Sequence, residues 1–259
     1  EVREQLGYTG HHPRWAIAYK FESSEAESVV LGIDVQVGRT GRVTPVARVE
    51  PVEISGSVVS NVTLHNQDYV NFLNISPGDR VTVSKRGDVI PAVENVVEKG
   101  NTNASVWKMP EACPFCGTGL EKNGAHLFCV NRQCPERIRG KIVFFCSKDQ
   151  MNIENLGYET IDLLVREKIV KNIYDLYEFD FSALEKYEGF GPKKIELIGK
   201  GIESSKKKPF RTVLSSLGLP EIGPKVCELL IDAGLDSAEK IIETAEKRNY
   251  DLLLSIKGI

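Results

Sequence analysis

Long apolar runs are missing from this 259-residue chain. No stretch of about 18 or more uncharged apolar residues occurs, which excludes a helical membrane span. A basic excess is missing too: 33 Lys and Arg stand against 36 Asp and Glu, a net charge of −3. That balance excludes a chain that coats nucleic acid by overall charge. Secretory features are absent, since EVREQLGYTGHHPRW has no apolar core and no initiator Met. It reads as the middle of a longer protein, and LLLSIKGI ends without a turn or cap, so both ends look cut. Cysteine is scarce except in one place, where four of the six fall between Cys113 and Cys134. What remains is ordinary globular composition, 41% apolar and 27% charged, in a length that allows two or more domains.

The cluster CPFCGTGLEKNGAHLFCVNRQC has the spacing C-x2-C, twelve residues, C-x4-C. Two short loops that each offer a pair of thiolates can close a tetrahedral sulfur site, which the filled d shell of Zn2+ accepts. Cys113, Cys116, Cys129 and Cys134 are the expected ligands, with Gly117 turning the first knuckle and His126 a ribbon residue. A disulfide staple would need an oxidising compartment, of which the sequence gives no sign. A redox C-x2-C needs no second pair. Closed coordination leaves no place for water, so such a metal braces rather than catalyses. Cys146 and Cys227, in apolar surroundings, read as core thiols.

Upstream, SVVLGIDVQV, a GRTG turn and RVTPVARVEPV give two alternating β-branched runs. ISGSVVSNVTLHN reads as a third strand, QDYVNFLNI as one or two helical turns, and DRVTVSKRGDVIPAVENVVE as two strands around an RGD turn. Five strands with a helix between the third and fourth match the order of an OB-fold, although any five-stranded barrel satisfies the pattern. Arg39 and Arg42 flank one Gly-rich hairpin, and Lys85 and Arg86 precede the other. Bases at such tips can approach a phosphate backbone or serve only to solubilise strand ends.

Downstream of residue 150 the pattern turns helical and recurs. Asn155-Leu156-Gly157, Gly189-Phe190-Gly191 and Glu221-Ile222-Gly223 recur 34 and 32 residues apart, with a final Gly258-Ile259 at the end. Pro192 and Pro224 each stand at a helix start, followed by Lys193-Lys194 and Lys225. In a helix–hairpin–helix of this kind the N–H groups opening the second helix point outward with the positive dipole end, ready for a phosphate. Gly189, Gly191, Lys193, Lys194, Gly223 and Lys225 are therefore candidate DNA contacts. Asn tolerates the left-handed backbone that the first position needs and Glu does so poorly. The second hairpin is thus the best candidate contact and the third the weakest. Clustered bases fit this, since residues 193–225 hold eight Lys and Arg against three Glu.

In this order the barrel, cysteine knot and hairpins resemble the C-terminal two-thirds of a bacterial NAD-dependent DNA ligase. The motifs that carry the resemblance are HHPRWAIAYKF, GRTGRVTPVARVEPVEISGSVVSNVTLHN with KRGDVIP, CPFC…CVNRQCP and EGFGPKKIELI. Arg86 and Glu136 stand where the family tends to have small residues. The resemblance implies a multidomain α+β chain. Residues 1–21 would end an adenylation domain, 22–106 form the OB-fold, 107–140 the zinc finger, and 141–259 a truncated helix-hairpin-helix domain. It implies a parent enzyme that seals nicks in replication and repair through lysyl-AMP and DNA-adenylate, using NAD+ and Mg2+ or Mn2+. The family's K-x-D-G nucleophile motif is absent from this sequence, so no catalytic residue is expected here. Lys20 resembles the family's nucleotide-contacting lysine. Nicked duplex DNA is the implied partner and the bacterial cytoplasm the implied location, for a monomer.

Two other readings compete. One is a non-enzymatic duplex-DNA-binding repair or recombination module made of the same elements. The other is a zinc-ribbon RNA-binding or transcription protein, which would need stacking aromatics on the barrel. With Tyr69 and Phe72 alone between residues 22 and 106, the sequence disfavours it.

Overall fold

A computed structural model describes residues 2–9, 12–17, 19, 24–86, 90–100 and 105–258. Lys20 and the Arg86 side chain lie outside the described set. The chain opens with a short helix, α1 (Val2–Leu6), and two two-residue strands, β1 (Tyr8–Thr9) and β2 (His12–Pro13). The chain divides into two compact units. Residues 37–42 and 111–121 join 128–259 in one of them, and the remainder forms the other.

The first unit is built on β3 (Glu25–Val37), β4 (Arg42–Ile54), β5 (Ser57–Thr63), α2 (Gln67–Leu73), β6 (Arg80–Arg86) and β7 (Ile90–Glu98). Alternation places Val43, Ala47 and Val49 of β4 inward, with Val81 and Val83 of β6. β3 pairs antiparallel with β6, β6 with β7, and β4 with β5. β5 runs parallel to β7, and a β3–β4 pairing closes the barrel. That is the five-stranded OB topology, with the helix between the third and fourth strands as the pattern implies.

α2 plugs the barrel because its ends are fixed. The Asn66 side chain accepts from the Tyr69 N–H, and Asn74 adopts the left-handed cap at φ 51°. Val70 and Leu73 then enter the core beside Ile54 and Leu64. A buried carboxylate ties the following loop together. Asp79 accepts from the Ser76 and Gly100 N–H groups and pairs with Lys99 at 2.8 Å. Phe72 faces outward at 79% exposure, so one of the two barrel aromatics is a surface ring that the strand and helix patterns do not single out.

The second unit carries the cysteine loops and a helical array. Its elements are α3 (Pro135–Cys146), α4 (Tyr158–Arg166), 3-10 turns at Tyr174–Tyr177 and Phe181–Leu184, α5 (Pro192–Ser205), α6 (Phe210–Ser216), α7 (Pro224–Asp232), α8 (Ala238–Glu246) and α9 (Tyr250–Ser255). Two strands, β8 (Leu120–Asn123) and β9 (His126–Cys129), precede them in sequence, their facing ends at residues 122–127 grouping with the first unit. Two apolar cores divide the helices. Ile142 and Phe145 of α3, Ile161 and Leu164 of α4, and Ile198 and Ile202 of α5 share one. Leu214 of α6, Cys227 and Leu230 of α7, and Ile256 share the other. The even repeat in the sequence is therefore packed in pairs, the first two hairpins on one core and the last two on another. Cys146 and Cys227 are core members as the sequence implies, and burial alone pushes the Cys146 thiol up to about 12.

Candidate nucleic-acid interface and metal centre

The four cysteines converge. Their sulfurs all lie within 4.8 Å of one another, with Cys113 to Cys134 at 3.9 Å and Cys116 to Cys129 at 3.5 Å. A tetrahedral zinc with Zn–S of about 2.3 Å needs S–S edges of about 3.8 Å, so the donor set fits. Backbone geometry makes the convergence. The Cys113 N–H donates to the Thr118 carbonyl and the Gly117 N–H to the Cys113 carbonyl, each at 2.8 Å, folding the first knuckle tightly. The Cys134 N–H donates to the Asn131 carbonyl, and Cys134 itself begins α3, with Pro135 in the first turn.

Electrostatics prepare the sulfurs unevenly. Burial opposes the Cys116 thiolate, but hydrogen bonds from the Thr118 hydroxyl and N–H, with those to Cys129 and Cys113, together outweigh it and hold the thiol down at about 6. Burial, with Cys116 as neighbour, pushes Cys129 up to about 12. Burial also raises Cys134, opposed by backbone hydrogen bonds from Arg137 and Glu136. Arg137 braces the site from behind, donating to the Cys129 carbonyl at 2.8 Å. Its Nε is buried without a partner, a positive group beside four sulfurs whose charge a divalent ion only half neutralises. His126 takes no part in the cluster. Of the arginines near the knot, Arg139 is engaged with Glu136 and, at 2.6 Å, with Asp162.

The hairpin turns share one backbone design. Asn155, Gly189, Glu221 and Gly258 are all left-handed, at φ 64°, 82°, 62° and 103°. Glu221 thus adopts the conformation that its side chain disfavours. In the first three turns the middle residue points inward: Leu156 is buried, and Phe190 and Ile222 are partly buried against their cores. Gly157, Gly191 and Gly223 then start α4, α5 and α7 as extended N-caps, with no side chain capping any of the three. Their φ values of −79°, −72° and −85° suit any residue. A Cβ built on any of them meets nothing within 4 Å. The first helical turns therefore open onto clear space with donors that no side chain covers.

The cations beside these turns are placed differently. Lys193 is exposed. The Lys194 ammonium sits 3.8 Å from the Phe190 ring centre, and Lys225 pairs with Glu228 at 2.9 Å on an exposed face. Such an exposed pair is weak and exchangeable.

The barrel-tip cations diverge. Arg42 is exposed, 6.0 Å from the Phe128 ring centre. Arg39 turns inward within the helical unit. Its guanidinium lies 3.7 Å over the Phe144 ring and donates to the Gly218 carbonyl at 3.2 Å. Glycine makes this possible, because a Cβ on Gly218 would stand 2.3 Å from Nη1 of Arg39. Phe144 and Gly218 carry no local sequence signal of this role. Lys85, in the other unit, is half-buried and donates to the Ser57 hydroxyl. Gly157 joins the candidates on structural grounds, and its place in the N-L-G member of the recurrence is the sequence signal that marks it.

Residues 27–105 match the NAD-dependent DNA ligase OB-fold domain. Over 260 aligned residues the chain is 46% identical to a DNA ligase of Borrelia garinii subsp. bavariensis, covering 100% of this chain and 39% of that protein. A DNA ligase of Leptospira interrogans serovar copenhageni is also 46% identical, with 99% and 38% covered. The chain spans about two-fifths of the length of these curated relatives. With the barrel, the sulfur cluster and the hairpins in one sequence, the chain belongs to the bacterial NAD-dependent DNA ligase family.

Proposed function

We propose that this chain holds nicked double-stranded DNA for an NAD-dependent DNA ligase whose nucleophilic lysine lies elsewhere. The observation that carries the reading is the trio of glycine-capped helices. Neither φ nor internal packing calls for glycine at Gly157, Gly191 or Gly223. Access from outside is the remaining reason for a bare backbone. A phosphate oxygen is the natural visitor, since N–H groups and the dipole both favour an anion there. Contacts of this kind register duplex shape and leave base sequence unread, which suits an enzyme that must seal nicks wherever they fall.

Lys193, Lys194 and Lys225 add charge beside these donors, and Arg42, Lys85 and Arg86 are further phosphate contacts on the strand ends. Arg39 supports it indirectly by fixing the loop that presents Arg42. A zinc ion held by Cys113, Cys116, Cys129 and Cys134 closes the joint ahead of α3. Lys20 contributes to nucleotide binding. NAD+ and Mg2+ or Mn2+ serve the parent enzyme, which works as a monomer in the bacterial cytoplasm.

Replacing Lys193 and Lys194 together by Glu tests the reading by fluorescence anisotropy on a nicked duplex. Affinity should fall and the log–log salt slope should flatten by about two units, one for each phosphate no longer neutralised. An unchanged slope would remove the second hairpin from the interface. Incubated with labelled NAD+ and Mg2+, the chain should take no covalent label. Labelling would reveal a nucleophile in these residues.

A further inference from the structure

A cleft of about 390 Å3 opens in the helical unit between the start of α3 and the Lys171–Tyr174 turn. Arg132, Lys141 and Lys171 stand around it, and no carboxylate is among its lining residues. Gln133 and Asn172 supply amides, Tyr174 an exposed ring, and isoleucines the floor. None of the three cations has an ion-pair partner among the described residues, whereas Arg139, Arg166 and Lys225 nearby in sequence or design all do. Asp175, four residues after Lys171, commits its carboxylate to the turn itself, accepting from the Lys171 N–H at 2.7 Å and the Asn172 amide at 3.0 Å.

We propose that this cleft is a second phosphate-binding site, distinct from the hairpin helix starts, and that it takes the phosphodiester backbone of a nucleic-acid strand. The inference rests on the DNA-holding role proposed above. Three uncompensated cations converging on one opening repel one another. Burial first, and then the charges of Arg137 and Arg132, hold the Lys141 ammonium below its ordinary value. An anion between them reverses the repulsion. All three cations are exposed, so water screens each one and a single small anion would be held weakly. A strand escapes that limit, because successive phosphates release counterions together. Nor does the cleft copy a helix-dipole site, since its charge comes from side chains on the second knuckle, the exposed edge of α3 and a separate turn.

The test uses the full zinc-loaded chain with Lys141→Gln and Lys171→Gln combined, leaving Arg132 in place because it neighbours a metal ligand. Anisotropy on a nicked duplex long enough to pass beyond the hairpins should show binding weakened several-fold and a salt slope reduced by about two units. Circular dichroism and melting should match the parent. Inorganic pyrophosphate, followed by chemical-shift change at Tyr174, is the second arm and should bind only weakly. An unchanged duplex slope with no tight pyrophosphate binding overturns the site. Tight pyrophosphate binding with an unchanged duplex slope overturns the strand assignment in favour of a free phosphorylated ligand. If the parent chain fails to bind duplex at all, the DNA-holding role itself falls, and the pyrophosphate arm still reports on the cleft separately.

Discussion

Six helices of this molecule have well-defined starts of two kinds. α2, α8 and α9 cap themselves: Asn66, Ser237 and Asn249 accept from N–H groups three residues on. α4, α5 and α7 start on Gly157, Gly191 and Gly223, whose missing side chains leave those donors uncovered. Self-capping serves the fold, as it satisfies orphan N–H groups at a gain of about 1 kcal/mol each. Glycine capping forgoes a few tenths of a kcal/mol of that gain at three positions spaced like the hairpins. α3 and α6 also start without a side-chain cap, on Cys134 and Pro209, so what sets the three glycine starts apart is their open approach, which the proposed reading assigns to DNA contact. Stability and binding should therefore respond in opposite directions to the same kind of substitution.

The largest expected effect comes from the four-cysteine cluster ahead of the helical array. Cys129→Ser removes one of four converging sulfurs, and structural zinc sites contribute about 10 kcal/mol or more in small zinc domains. The hairpin region should become sensitive to limited proteolysis and lose DNA affinity while the barrel stays folded. Intact binding and protease resistance after zinc removal would show that glycine-capped helices need no bracing.

Next in size is the direct exchange of cap types. Changing Gly157, Gly191 and Gly223 together to Ser places a hydroxymethyl group where a Cβ meets nothing within 4 Å. Thermal stability should hold or rise by a few tenths of a kcal/mol per site. Duplex affinity should fall about tenfold, taking roughly 0.5 kcal/mol for each obstructed helix start. Ser237→Ala is the mirror image, costing about 1 kcal/mol of stability with affinity unchanged. If both changes move stability alone, the two kinds of cap do not differ in purpose.

What the sequence disclosed and what it hid follow the range of the forces involved. Strand alternation, the Pro-Lys helix starts and the cysteine spacing are local, and each reappears in the structure. The left-handed positions are legible too, even at Glu221, because the recurrence outweighs the propensity of one residue. Arg39 is not legible. GRTGR reads as an exposed hairpin tip, yet the guanidinium is held by Phe144 and by a carbonyl 179 residues away. Long-range stacking leaves no periodic trace, and a glycine that accommodates it looks like any turn glycine. The division of four hairpins between two cores is hidden for the same reason.

The smallest expected effect isolates the one hairpin that departs from the shared design. Glu221 holds φ 62°, a conformation that costs an L-residue with a Cβ about 1 to 2 kcal/mol. Glycine removes that cost but gives back about 0.5 to 1 kcal/mol through the entropy of the unfolded chain. Glu221→Gly should therefore stabilise the chain by about 1 kcal/mol or less, read as a small rise in melting temperature. The same change deletes an exposed carboxylate two residues before the uncovered donors of α7, so duplex binding should strengthen slightly as stability rises. A gain in both would place the third hairpin among the contacts despite its glutamate. A gain in stability alone would make it a structural copy that keeps the turn geometry and lacks the contact.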